Sequence, residues 1–447
     1  MERTAMADLV AWKNSKERKP LIVNGARQVG KTWLVEEFAR RHFDDLAHIV
    51  FLDNEEMQRA FEKSLDPDRL LTLIGAATGT NPHDGNTLVF LDEIQECPRA
   101  ITSLKLFREL KPHIPVIAAG SLLGVALNRR KREQDQPASW PVGKVGYLDL
   151  HPMTFAEYVA ATANASLADI VAQGDVELMD SLSERMVELL KTYLYVGGMP
   201  EVVQTYVDTK DFAAVRKVQD ELLKGYELDF TKHVDSPLMT ERIRSTWHAV
   251  PTQLARERDL KRFVYASISN GARGRDYRDA VSWLVDAGLV TKVPRISKPC
   301  VPLAGYEDEA YFKLYLLDVG LLGAATNMSA RTIVEGSALF TEYKGVYAEQ
   351  YVCQQIVAEN WCEPRYWSAD GKQAKGEVDF VCEFDGAVCP IEVKAGENIA
   401  GSSLAAFVRK YGIEKVVRLS LRGWKDQGWL VNVPLYAVGS LPELLEK

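Results

Sequence analysis

Gly25, Gly30, Lys31 and Thr32 stand at the spacing G-x-x-x-x-G-K-[ST] in the run GARQVGKT, and each residue type there has a use in phosphate chemistry. Glycines let a loop turn its backbone N–H groups inward around an anion. Lys31 can reach the β- and γ-phosphates of a nucleotide, Thr32 can ligate Mg²⁺, and a helix starting at this point adds its positive end. Ala26, Arg27, Gln28 and Val29 complete the loop, so Gly25 to Thr32 is read as an ATP site. The run NTLVFLDE closes on Asp92-Glu93, a carboxylate pair at the C-terminal end of an apolar strand. Asp92 would hold the Mg²⁺ shell, through Thr32 or water, and Glu93 would polarise the attacking water; the competing reading is an acidic pair that caps a following helix. At the end of PVIAAGS, Ser121 is either a catalytic γ-phosphate sensor or a helix N-cap. Cations for an arginine finger are offered by Arg129, Arg130, Lys131 and Arg132, by Arg27 and by Lys144, although a solvated basic loop explains the first group as well.

A second group of chemical residue types lies near the C-terminus, in GEVDFVCEFDGAVCPIEVKAG. Asp385-Gly386 signals a two-residue hairpin turn. That turn sets Asp379 opposite Glu392 and Glu377 opposite Lys394. Two carboxylates facing each other at roughly 4.5–5.5 Å between Cβ atoms repel unless a cation lies between them. The pattern is D…ExK: Asp379 and Glu392 as Mg²⁺ ligands, with Lys394 orienting water and stabilising phosphorane charge. Glu349, on the helix-like run before it, is a further ligand or supporting acid. The alternative is a metal-free hairpin carrying a Glu377–Lys394 ion pair.

These residues need elements to hold them. Short β-like runs alternate with helical segments through the first third: PLIVNG, HIVFLDN, NTLVFLDE, PVIAAGS and VGYLDLHP. Alternation of that kind implies βαβ units and a parallel sheet, with PLIVN before the phosphate loop and TWLVEEFARRHF as the helix after it. A mostly helical stretch follows, in which LSERMVELLKTYLYVGGMP stops at Gly197-Gly198. DYRDAVSWLVDAGLVTKVPRI reads as a helix, a break at Gly288 and a strand, the end of a winged helix. FTEYKGVYAEQYVCQQIVAENW opens the tail as a long helix. The organisation expected is an α/β chain with a P-loop parallel-sheet core over residues 1–152, a helical lid over 153–241, a winged-helix-like domain over 242–334 and a PD-(D/E)xK nuclease-like domain over 335–447.

Length and composition agree with several globular domains. The 447 residues are 47% hydrophobic and 26% charged, which suits sizeable cores at roughly 100–200 residues per domain. A net charge of -8 argues against nonspecific coating of nucleic acid. The 6 cysteines form no C-x-x-C pair and suit a reducing cytosol. The first residues, MERTAMADLVAWKNSKERKP, lack the apolar core of a signal peptide, and no run approaches the ~18–20 apolar residues of a membrane span. A cytoplasmic location with no membrane partner is expected.

Taken in order, PLIVNGARQVGKTWL, LVFLDEIQECP, GSLLGVAL, WPVGKVGYLDLHPMTFAEY, YLYVGGMPEVV, FKLYLLDVGLL and GEVDF…PIEVKAG resemble a family of bacterial and archaeal AAA ATPases with a C-terminal domain of unknown function. The resemblance spans nearly the whole chain. It implies nucleotide binding at Gly25, Gly30, Lys31, Thr32, Asp92 and Glu93, and a restriction-endonuclease-like pattern at Glu349, Asp379, Glu392 and Lys394. Lys144 departs from it, a lysine where arginine is expected, which weakens a finger there. The functional expectation is an ATP- and Mg²⁺-dependent ATPase whose cycle controls a nuclease-like or nucleic-acid-binding tail. The alternative is a regulatory switch whose tail is a non-cleaving protein-docking module. DNA or RNA, a protein partner and further copies of the chain are the partners these readings call for.

Overall fold

The computed structural model describes residues 1–121, 140–232, 234, 236–254, 262–269, 271–334, 340–369, 376–394 and 402–446. Two compact units account for them: Glu2–His151 with Asp286–Gly288, and Pro152–Val285 with Leu289–Lys447. Among the described residues no helix is long and apolar enough to cross a membrane.

In the N-terminal unit five strands form one parallel sheet: β1 (Leu21–Asn24), β2 (Asp45–Val50), β3 (Thr87–Asp92), β4 (Val116–Ala119) and β5 (Gly146–Asp149), in the order β2-β3-β4-β1-β5. The five expected runs all appear, with β2 starting at Asp45, ahead of the HIVFLDN run. Every residue of β3 is buried, because a central parallel strand is covered on both faces. Ile22, Val89, Leu91, Val116 and Ala118 join Phe61, Leu70, Leu71, Leu104 and Phe107 in one core. Helix Lys31–His42 follows β1 and buries Leu34, Val35, Phe38 and Ala39. A helix that the sequence reading did not anticipate, Ala5–Asn14, precedes the sheet.

The second unit opens with helices Phe155–Thr162, Ala165–Ala172, Val176–Ser181, Ser183–Val196, Pro200–Thr209, Phe212–Lys232 and Pro237–Leu254. Helix Ser183–Val196 ends where Gly197 takes φ 77°. Helix Gly274–Asp286 precedes the antiparallel pair β6 (Val290–Ile296) and β7 (Glu307–Leu316). After helix Phe340–Ala358 come β8 (Arg365–Ser368), β9 (Glu377–Phe384), β10 (Ala387–Lys394), β11 (Val416–Ser420), β12 (Lys425–Asp426) and β13 (Leu430–Pro434). All of β6 to β13 lie in one eight-stranded sheet, in the order β12-β13-β11-β10-β9-β8-β6-β7. The β6–β7 hairpin is therefore continuous with the C-terminal strands, joined by the parallel pairing of Arg295 with Tyr366 and Ile296 with Trp367.

Buried Asp318 ties the helical part to the tail. It caps helix Val319–Ala325 by accepting from the Leu321 N–H at 3.0 Å. It also accepts from the Gly198 N–H at 2.6 Å and from Gln354 Nε2 at 3.1 Å. A Cβ at Gly197 would come within 2.2 Å of the Asp318 carboxylate, so the Gly-Gly pair is a packing requirement. Burial raises the Asp318 carboxyl above its ordinary range, against the hydrogen bonds that lower it.

Candidate nucleotide site and carboxylate cluster

The loop from Gly25 to Gly30 bends with positive φ at Gly25 (147°), Gln28 (65°) and Gly30 (94°). Gly25 has a second reason to lack a side chain: a Cβ there would lie 2.2 Å from the Leu150 carbonyl oxygen. Arg3 braces the loop, with Nη1 donating to the Val29 carbonyl at 2.9 Å and Nη2 to the His151 carbonyl at 2.6 Å. Helix Lys31–His42 then begins on Gly30 with no side chain capping it, leaving its first N–H groups available to an anion. Lys31 folds back, donating to the Gly25 and Ala26 carbonyls at 2.9 and 2.8 Å. Burial lowers its pKa to about 8, against the pull of Glu93 and Asp92. Phosphate oxygens offer that ammonium the countercharge it lacks.

Parallel pairing brings the end of β3 beside the loop. The Thr32 hydroxyl donates to Asp92 Oδ2 at 2.7 Å, and the Asp92 Oδ1 accepts from the Glu93 N–H at 2.9 Å. Burial pushes the Asp92 carboxyl up, but His48, Thr32 and the Glu93 amide outweigh it and hold the group below its ordinary value. Glu93 adopts the left-handed conformation, φ 50° and ψ 44°, at a cost of about 1–2 kcal/mol for a residue with a Cβ. Gln95 Nε2 donates to its carboxylate. Ser121 is buried just beyond β4, and Arg27 Nε donates to its hydroxyl at 3.3 Å. A hydroxyl and a carboxylate in contact beside an open helix terminus suit a hard cation with oxygen ligands, so Thr32 and Asp92 fit Mg²⁺.

At the tail hairpin, Asp385 and Gly386 have φ 46° and 72°, the positive pair a type I′ turn needs. The register runs from Ala387 opposite Phe384 to Ile391 opposite Phe380, as the two-residue turn requires. Asp379 accepts from the Val393 N–H at 2.7 Å. Its carboxyl is raised to about 8, first by burial and then by Glu349. Glu392 is buried and ion-paired twice, with Lys394 at 3.0 Å and Arg418 at 3.5 Å; β10 and β11 put Glu392 and Arg418 directly side by side. Against the lowering effect of burial, Glu392, Asp379 and Glu349 keep the Lys394 ammonium above its ordinary range. Glu377 pairs with Lys313 at 2.8 Å. Lys313 also meets Glu349 at 3.4 Å, and the Tyr315 hydroxyl donates to Glu349 at 3.2 Å. Both members of the anticipated Glu377–Lys394 pair thus have other partners.

A family model described as an AAA domain matches residues 17–159, the stretch that holds the phosphate loop, Asp92, Glu93 and Ser121. The chain carries an AAA-type P-loop ATPase domain. Two domains of unknown function account for much of the remainder, DUF8612 over residues 187–332 and DUF4143 over residues 344–436. No curated protein matches the chain. Among solved structures it is similar to the Walker-type ATPase PABY2304 of Pyrococcus abyssi, at 15% identity over 73% of this chain and 95% of that one, with a TM-score of 0.43. It is also similar to the Aeropyrum pernix ORC1 protein in complex with DNA, at 11% identity over 73% of this chain and 93% of that one, with a TM-score of 0.26.

Within the AAA domain the structure brings Lys31, Thr32, Asp92 and Glu93 together, with Arg27 and Ser121 in contact beside them. Lys144 is ion-paired to Glu109 at 3.0 Å. Arg129, Arg130, Lys131 and Arg132 lie outside the described residues. Sequence reasoning passed over His48, whose ring stacks on Phe90 at 4.5 Å and sets Nε2 3.5 Å from Asp92 Oδ2. Only the parallel register, His48 beside Phe90, reveals that proximity. Lys313 and Arg418 were passed over too, although each shows as a lone charge inside an apolar strand, FKLYLL and VVRLS.

Proposed function

We propose that this chain is an ATP-driven switch. In this reading the AAA domain binds ATP with Mg²⁺ and hydrolyses it, and its nucleotide cycle controls a nuclease-like C-terminal domain that docks a protein partner without cutting nucleic acid. The observation that carries the ATP half is the Thr32–Asp92 hydrogen bond at 2.7 Å beside the uncapped start of helix Lys31–His42.

The roles follow from the groups. Backbone N–H groups of Gly25 to Thr32 bind the phosphates. Lys31 leaves the Gly25 and Ala26 carbonyls for the β- and γ-phosphates. Thr32 and Asp92 would hold Mg²⁺, which supplies charge neutralisation at the phosphates. Glu93 orients the attacking water and draws on its proton, while Gln95 fixes the Glu93 carboxylate. Ser121, with Arg27, senses the γ-phosphate. Self-association belongs to the proposal, because AAA-type sites draw a cation from a neighbouring copy.

Lys31→Ala should lose ATP binding. Glu93→Gln should bind ATP and hydrolyse it about 10²–10⁴-fold more slowly, the range for losing a general base. Equilibrium binding and turnover measured on both variants test this; a Lys31→Ala protein with wild-type turnover rejects the site. The non-cleaving half is supported by the ion pairs on Glu349, Glu377 and Glu392. Mg²⁺-dependent cleavage of DNA or RNA that vanishes in Asp379→Ala would replace it with the nuclease reading.

A further inference from the structure

Carboxylates that bind a divalent cation must offer it their oxygens. In the tail each of these carboxylates already has a protein partner: Glu349 Oε2 and Glu377 Oε1 lie against Lys313, both oxygens of Glu392 against Lys394 and Arg418, and Asp379 Oδ2 accepts from the Val393 N–H. Among the described residues, no group of three or more His, Cys, Asp or Glu side chains is arranged to hold a metal ion. The D…ExK residues therefore do not fit Mg²⁺ as they stand.

Lys313 is the cation shared by the two flanking acids of this cluster, Glu349 and Glu377. Its side chain is only 4% exposed, lies 5.3 Å from the centre of the Tyr366 ring, and bridges two carboxylates from different elements, Glu349 on helix Phe340–Ala358 and Glu377 on β9. A buried ammonium held this way differs from a surface ion pair: removing it leaves two carboxylates without their shared countercharge. Lys313 also comes from β7, inside the stretch matched by DUF8612, whereas the acids come from the stretch matched by DUF4143. One segment thus supplies the cation that closes the acidic cluster of the other. We infer that Lys313 is a tethered counter-ion standing in for a divalent metal, which keeps the D…ExK cluster metal-free. The inference deepens the non-cleaving reading of the tail and rests on it.

Mn²⁺ titrated into the nucleotide-free full chain, followed by electron paramagnetic resonance and by the unfolding temperature, tests this. Wild type should show no Mn²⁺ site that depends on Asp379. Lys313→Met should gain one such site per chain, and Mn²⁺ should raise its unfolding temperature. Adding Asp379→Asn should remove both gains, which separates this cluster from Thr32 and Asp92. Lys313→Arg, which keeps the cation, should behave as wild type. A wild-type Mn²⁺ site lost in Asp379→Asn overturns the inference, as does a folded Lys313→Met protein that responds to Mn²⁺ no differently from wild type. If Lys313→Met unfolds, recovery of structure on adding Mn²⁺ supports the inference and no recovery overturns it. A metal-free wild type with an unresponsive Lys313→Met leaves the non-cleaving reading intact, whereas nucleic-acid cleavage by wild type ends that reading directly.

Discussion

Glu359 is a carboxyl held at about 7, raised first by burial and then by Glu157, with the Thr154 hydroxyl pulling the other way. A group whose folded pKa lies above its unfolded value binds more protons when folded. The stability it contributes is complete below its ordinary value of 4.5 and is lost as pH rises through about 7. Glu359→Gln should therefore flatten the fall of unfolding temperature between those pH values, as thermal melts across a buffer series would read. Asp379, raised to about 8, carries the same sign over a wider window, so Asp379→Asn should flatten the melt series further. At this scale the nucleotide site was legible, because its chemistry is written in consecutive residues whose spacing is the function. Partners that arrive across the fold were not. His48 reaches Asp92 through strand register, and Lys313 reaches Glu349 and Glu377 from a different hairpin. The cysteines show no pairing in sequence, yet Cys353, Cys362 and Cys389 all act on buried Cys382, whose thiol burial pushes well above its ordinary value. That makes it a poor nucleophile.

Among the elements, the five parallel strands could be read because buried strands are short apolar runs bounded by turn residues. The tail hairpin register could be read because an Asp-Gly turn admits one pairing. The continuation of β6 and β7 into the C-terminal sheet could not: β6 pairs with β8 across a sequence gap that includes β7 and three α-helices, and no local pattern encodes that distance. Asp318 marks a junction of the same kind. Replacing it with Ala would remove a helix cap and strand the buried Gly198 N–H, at a cost of about 1–3 kcal/mol for the orphaned donor and about 1 kcal/mol for the cap. A urea midpoint for Asp318→Ala that matches wild type would show that the knot carries no such weight.

For the whole molecule, two compact units and one nucleotide site set a simple expectation. A ligand that binds only the folded state stabilises it by about 2.7 kcal/mol when present at one hundred times its dissociation constant. ATP with Mg²⁺ should accordingly raise the unfolding temperature of wild type and of Glu93→Gln, and leave Lys31→Ala unmoved. Calorimetry on the three proteins would read it. The AAA assignment was legible in the sequence because its motifs are local and ordered. The tail was legible only as a pattern of acids with Lys394, since the other cations that meet those acids, Lys313 and Arg418, come from strands the pattern does not include.

The eight-stranded sheet bears on how the chain can be cut. Scissors applied between the two matched segments of unknown function, after Val334, would part β6 from β8 and bare a ladder of unpaired amides and carbonyls on each fragment. Such raw edges recruit other strands. Fragments trimmed there should clump on expression, whereas a piece running from residue 152 to the end keeps its sheet whole and should stay dispersed by light scattering.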